Sequence, residues 1–140
     1  MKKMGEKYKI SEKIIKTIEN SLNDLCNCNK EKYIQNILSS RLKCESRQVL
    51  TSSQFPNIEV DLYGNDYAIE VKYNAKYYSG ISQVLIQKVL FNIKNVFLLH
   101  VKSFLNESFI NAFKKLSEEL NFIGILIDKR NKDLMVFNNR

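Results

Sequence analysis

The sequence predicts an α/β chain of the α+β kind, a mixed β-sheet flanked by helices, on three observations. Apolar residues recur at helical spacing up to Leu42, at a spacing of two from Gln48 to Tyr73, and at helical spacing again from Ile81. The run "VFLLHV" (96–101) is almost continuously apolar and directly follows a helical stretch, as expected of a strand covered on both faces and reached by a crossover. Four glycines, one proline and no internal repeat leave no linker, so the 140 residues read as a single domain.

Taken in order, "SEKIIKTIENSLNDL" (11–25) opens with Ser11 as a candidate N-cap and sets Ile14, Ile15, Ile18, Leu22 and Leu25 on one helical face. "NCNK" breaks that pattern, and "EKYIQNILSSRLK" (31–43) resumes it with Tyr33, Ile34, Ile37, Leu38 and Leu42 inward. "QVLTSSQF" (48–55) reads as a strand, Pro56 interrupts, and "IEVDLY" (58–63) is the next strand. "GNDY" is a turn, and "YAIEVKY" (67–73) a third strand. "ISQVLIQKVLFNIKN" (81–95) is helical through Ile81, Val84, Leu85, Val89 and Ile93, with Gln83 and Gln87 on one face. After "VFLLHV" come the helix "ESFINAFKKLSEEL" (107–120), the strand "FIGILID" (122–128), the turn "RNKD" and a last strand "LMVFNN" (134–139).

Composition narrows the function classes. With 44% hydrophobic and 26% charged residues the chain is not wholly disordered. No apolar run reaches the roughly 20 residues of a membrane helix. The basic start "MKKMGEKYKI" lacks the apolar centre of a secretory signal, so a cytoplasmic protein with no membrane partner is expected. Cys26, Cys28 and Cys44 are an odd number without the spacing of structural zinc ligands, which points to reduced thiols. A single histidine, His100, excludes triads and His-rich zinc sites, and it reads as a buried or edge residue without a role. The lack of a Gly-rich phosphate loop argues against a nucleotide cofactor. A net charge of +7 and a pI near 9.3 favour a polyanion, with nucleic acid first and an anionic membrane surface as its competitor.

The stretch "IEVDLYGNDYAIEVKY" (58–73) carries the chemistry. With Asn65 and Asp66 central in the turn, Gly64 pairs with Tyr67, Asp61 lies opposite Glu70, and Glu59 faces Lys72. Ile58, Val60, Leu62, Ile69 and Val71 then form the opposite, core face. A slip of one residue would put the two acids on different faces. Opposed carboxylates have Cβ atoms about 5 Å apart and repel when both are ionised. Lys72 offsets this in part, and a hard dication does so better, because Mg²⁺ takes one or two carboxylates, keeps waters and accepts phosphate oxygens. Lys72 would orient or help deprotonate a water, or stabilise charge at phosphorus. The same Glu-x-Lys pattern also describes a solvated sheet face.

Asp61, then Glu70-x-Lys72 on the next strand, with a preceding helix bearing Glu31 and a following helix bearing Gln83, resembles the PD-(D/E)xK nuclease superfamily. The layout is most similar to the archaeal Holliday junction resolvases and related small viral nucleases, over residues 31–101. The resemblance implies a restriction-endonuclease-like core (31–101), an N-terminal helical extension (1–30) and a C-terminal helix and hairpin (102–140). It implies Asp61, Glu70 and Glu31 as ligands of Mg²⁺, for which Mn²⁺ can substitute, Lys72 as the catalytic lysine and Gln83 as a helper. It further implies a structure-selective endonuclease on DNA, branched or four-way, working as a homodimer.

Other readings stand beside these. Glu31 also suits the first turn of a helix, Gln83 also suits a solvated helix face, and Gln87 is its equal alternative. No proline directly precedes Asp61. Tyr73, Lys76, Tyr77 and Tyr78 suit phosphate contacts and base stacking, or else packing on a helix. Arg41, Lys43 and Arg47 suit a phosphate backbone, or else a solvated helix end. The basic hairpin "DKRNKDLMVFNNR" is a further backbone contact. Abundant Lys, Asn, Ile and Tyr suggest an AT-rich genome such as that of an archaeal virus or mobile element. The functional alternatives are a noncatalytic nucleic-acid-binding module of the same fold, and a nuclease acting on RNA or duplex ends.

Overall fold

The computed structural model describes residues 2–139, with side chains from Ile10 onward. Its elements are α1 (Lys2–Asn20), α2 (Leu22–Cys26), α3 (Glu31–Leu42), β1 (Glu45–Leu50), β2 (Ile58–Gly64), β3 (Tyr67–Tyr73), α4 (Ile81–Val89), β4 (Asn95–Lys102), α5 (Glu107–Leu120), β5 (Ile123–Asp128) and β6 (Asp133–Phe137). The strands lie side by side in chain order. β1, β2 and β3 are antiparallel, β3, β4 and β5 parallel, and β6 antiparallel to β5, so the expected mixed α/β class holds. Among the described residues no helix is long and apolar enough to cross a membrane, and the three cysteines are free thiols.

Each face of the sheet has its own core. On one, Ile14, Ile18, Ile34 and Leu38 of α1 and α3 pack on Leu62, Ile69, Val71, Phe97, Leu99 and Val101. On the other, Val84 of α4 and Phe109 and Phe113 of α5 pack on Val60, Ala68, Val96, Leu98 and Leu126. Successive right-handed crossovers stepping the same way across a sheet deliver their helices to one face, which is where α4 and α5 sit. β4 is therefore sandwiched, and its continuous apolar run is the consequence.

Several boundaries differ from the sequence reading. Ser11 is no N-cap: α1 starts earlier and buries Ser11 in its interior, with Ile10 already packed on the core below it. Tyr33 is exposed, because the stripe through Ile34, Leu38 and Leu42 turns it outward. β1 occupies 45–50 instead of 48–55, and Ser52 Oγ accepts the N–H groups of Gln54 and Phe55 in a turn that replaces the rest. α4 ends at Val89, which is exposed; Asn92 at φ 57° redirects the chain and Ile93 N–H closes back on the Gln87 carbonyl.

The predicted apolar face of the hairpin is split. Leu62 lies in the α1–α3 core, and Val60, two residues earlier on the same strand, lies in the α4–α5 core. Regular alternation would keep both on one side. The break falls opposite Arg47, at φ 53°: the β1–β2 ladder pairs Ser46 with Leu62 and Gln48 with Val60 but skips Arg47 and Asp61. Glu59 pairs with Val49 of β1, and because the β2–β3 ladder ends at Leu62 and Ile69 it is not laddered to Lys72.

Candidate active site

β3 is laddered to β4 along its whole length, from Tyr67 to Tyr73, but to β2 only as far as Ile69. N–H groups of alternate residues point to the same edge, so those of Val71 and Tyr73 are left facing the gap that opens beyond Leu62. Both must find acceptors. Asp61 Oδ2 accepts from Val71 N–H at 2.8 Å, and Glu31 Oε2 from Tyr73 N–H at 3.3 Å. Two carboxylates thus continue the edge of β3 where the backbone of β2 has left it.

Glu70, one residue before Val71, is turned to the α4–α5 side. It is 4% exposed. Gln87 Nε2 donates to its Oε1 at 3.1 Å, and Lys72 Nζ lies 3.6 Å from its Oε2. The Asp61 carboxylate is within hydrogen-bonding reach of it. Burial first, and the negative charge of Asp61 second, push the Glu70 carboxyl up to about 8, against the smaller opposing pulls of Lys72 and Gln87. At neutral pH Glu70 therefore keeps its proton.

The floor of the site is His100, in register with Lys72 on the neighbouring strand and edge-on to the ring of Phe109. Burial, then Lys102 and Lys72, push it down to about 4, so it is neutral and adds no cation beneath Lys72. Its Nε2 and Oε1 of Gln87 are buried without a hydrogen-bond partner. The close seating of α4 depends on Gly80, at φ 90°, where a Cβ would meet Leu98 Cδ1 at 2.5 Å and Lys72 Cγ at 3.4 Å.

Asp61, Glu70 and Lys72 thus come together as the sequence suggested. Glu31 holds the end of β3; among the described residues no group of three or more His, Cys, Asp or Glu side chains is gathered as a metal-binding cluster, so it does not join the pair. Gln83 is exposed with Ser82 Oγ on its carboxamide, and Gln87, one turn later, is the residue that reaches Glu70. Of the basic residues, Arg41 pairs with Asp24, and Arg47 binds Gln35 at 2.7 Å and Asn36 at 3.5 Å. Lys43 lies near Asn65 and Tyr67, at the far end of β3, roughly 20 Å from Tyr73 by strand rise. Tyr73 is turned inward, its hydroxyl and ring both against Lys129 Nζ. Lys76, Tyr77 and Tyr78, in the loop that follows Lys72, are exposed.

A cavity of about 460 Å³ lies between Lys43, Tyr63, Phe91 and Lys94, at the turn end of the hairpin. Its two acids, Glu45 and Asp66, are both exposed. We place the site at Glu70, because a buried carboxyl raised by a second carboxyl and flanked by an ammonium signals chemistry, and a polymer docks on an open surface without needing an enclosed cavity. Comparison of the chain with family models, with curated proteins and with solved structures finds no match in any of the three.

Proposed function

We propose that Asp61, Glu70 and Lys72 form the centre of a divalent-metal-dependent endonuclease hydrolysing DNA phosphodiesters, in a restriction-endonuclease-like core of the PD-(D/E)xK superfamily. The observation that carries the reading is the Glu70 carboxyl, buried against Asp61 and held up to about 8, with the Lys72 ammonium 3.6 Å away. A solvated sheet face would ionise both acids freely, so the bland reading of Glu-x-Lys loses its support.

The donor set fits Mg²⁺, which needs few protein carboxylates and completes its shell with waters and phosphate oxygens; Mn²⁺ shares that preference. When bound, the ion supplies charge neutralisation at phosphorus and a more acidic water. Asp61 and Glu70 would hold it once Glu70 has lost its proton. Gln87 fixes Oε1 of Glu70, and Glu31 and Asp61 fix the backbone on either side of Lys72. The Lys72 ammonium is free to hold a water in line or to meet charge developing on a phosphoryl oxygen. The charge of +7 supports a polyanionic substrate. Selectivity for branched DNA and a two-fold homodimer belong to the proposal through the likeness of the motif.

The test is digestion of a four-way junction, a linear duplex, a single strand and an RNA in Mg²⁺, Mn²⁺ or EDTA. Cleavage is expected with either metal and none in EDTA. Asp61→Asn and Glu70→Gln should abolish it, and Lys72→Ala should slow it by about 10² or more. Binding without cleavage of any substrate would leave a noncatalytic nucleic-acid-binding module, and cutting confined to RNA or to duplex ends would move the substrate there.

A further inference from the structure

The loops that leave the ends of β3 and β4 beside Lys72 expose three aromatic rings: Tyr77 (53%), Tyr78 (63%) and Phe104 (57%). Burial of such rings is favourable, so three left in water on neighbouring loops ask for an occupant. These loops are cross-tied. Asn74 Nδ2 donates to Ser103 Oγ and Ser103 N–H to Asn74 Oδ1, each at 2.8 Å. Asn106 Nδ2 donates to the Tyr77 hydroxyl at 2.9 Å, and Lys102 Nζ to the Ala75 carbonyl at 3.2 Å. Leu105 is buried, which turns its neighbour Phe104 outward.

Tyr77 is backed on one side by Phe109, centroids 5.3 Å apart, with Lys102 Nζ 5.1 Å from both rings. Phe109 in turn touches His100, the register partner of Lys72, so the platform adjoins the acid pair through two ring contacts. Residues 74–80 and 102–106 include Lys76 and Lys102 and no acid.

We propose that this platform binds unpaired nucleotides, with bases stacked on Tyr78 and Phe104 and phosphates met by Lys76 and Lys102. Every base has a π-face, whereas bases within a duplex hide theirs in the stack, so exposed rings beside cations select single-stranded or unstacked segments. A membrane-inserting patch would present an apolar edge; here Asn74, Ser103 and Asn106 bond among the rings, and no amphipathic helix carries them. The inference deepens the reading of the acid pair by naming the form of nucleic acid delivered to it. Its binding step is measurable without cleavage.

The experiment is fluorescence anisotropy in EDTA with a labelled single strand, the same sequence as duplex, and a duplex carrying a single-stranded gap. Proteins compared are the parent, the double variant Tyr78→Ala/Phe104→Ala, Tyr78→Phe and, as a control on exposed α4, Val89→Ala. The double variant should lose roughly tenfold or more for single strand and gap and little for duplex; Tyr78→Phe, which keeps the ring, and Val89→Ala should bind as the parent does. Lys76→Ala should weaken all three and lower the salt slope by about one. Equal loss on duplex and single strand, or no loss, overturns the platform. So does loss of binding to phosphatidylserine vesicles with oligonucleotide affinity unchanged, which would make the patch a membrane contact. A parent that cuts nothing yet shows the strand-selective loss refutes the nuclease reading and keeps the platform; a parent that cuts, with the double variant binding normally, does the reverse.

Discussion

Replacing Glu70 by Gln should make the metal-free protein more stable, and more so as the pH rises. Glutamine mimics the protonated carboxyl: its amide can donate to Asp61 and its carbonyl can still accept from Gln87. In the parent, Glu70 in the folded chain titrates near 8, against an ordinary value of 4.5 in the unfolded one. Between those values the folded state binds the extra proton, so stability is intact in acid and falls as pH rises toward 8. His100 acts the other way. Held down to about 4 from an ordinary 6.5, it lowers stability as pH falls through that range and is silent above it. The interval from pH 6.5 to 8 therefore isolates Glu70.

Across it the folded parent gives up close to one proton's linkage, about 1.4 kcal/mol per pH unit, or roughly 2 kcal/mol in all. At about 3–4 °C per kcal/mol for a chain of this size, the Tm advantage of Glu70→Gln should widen by roughly 7 °C from pH 6.5 to pH 8. Circular-dichroism melts in EDTA measure it. Adding Mg²⁺ at pH 8 should raise the parent's Tm and leave the variant's nearly unmoved, since only the parent exchanges a proton for the ion. A Tm difference that stays constant across the interval would refute the raised, protonated Glu70.

Three further outcomes follow from the same geometry. Asp61→Asn keeps an acceptor for Val71 N–H and should fold as the parent does while losing Mn²⁺ binding; Asp61→Ala loses both, and should also melt lower by the equivalent of about 1–2 kcal/mol. Gly80→Ala meets Leu98 at a positive φ, and the strain plus overpacking should cost roughly 2 kcal/mol or more in urea denaturation and cut activity more than stability, because Lys72 shifts with it. Gln87→Leu removes the side-chain donor on Oε1 of Glu70, and calorimetric titration with Mn²⁺ at pH 8 should show an affinity about 10–100-fold weaker; an unchanged affinity would remove Gln87 from the site.

What the sequence could and could not disclose depends on how local each determinant is. The order of elements was legible because burial on one or two faces writes its period directly into residues such as the β4 run. The nearness of Asp61 to Glu70 was legible because a two-residue turn fixes the register, which the ladder keeps from Gly64 and Tyr67 to Leu62 and Ile69, one step short of the pair. The choice between Gln83 and Gln87 was not. On a helix they differ by only about 40°, and the buried stripe through Val84 and Gln87 happens to end between them. Least legible was the break at Asp61: it falls opposite Arg47 on another strand, in a left-handed conformation that no local preference of arginine predicts. That break is what the site needs. A regular ladder would have given Val71 N–H a backbone acceptor and sent the Asp61 side chain outward with the pleat; the opening of β2 from β3 draws the carboxylate into the gap, where one oxygen completes the edge of the strand and the group as a whole raises Glu70.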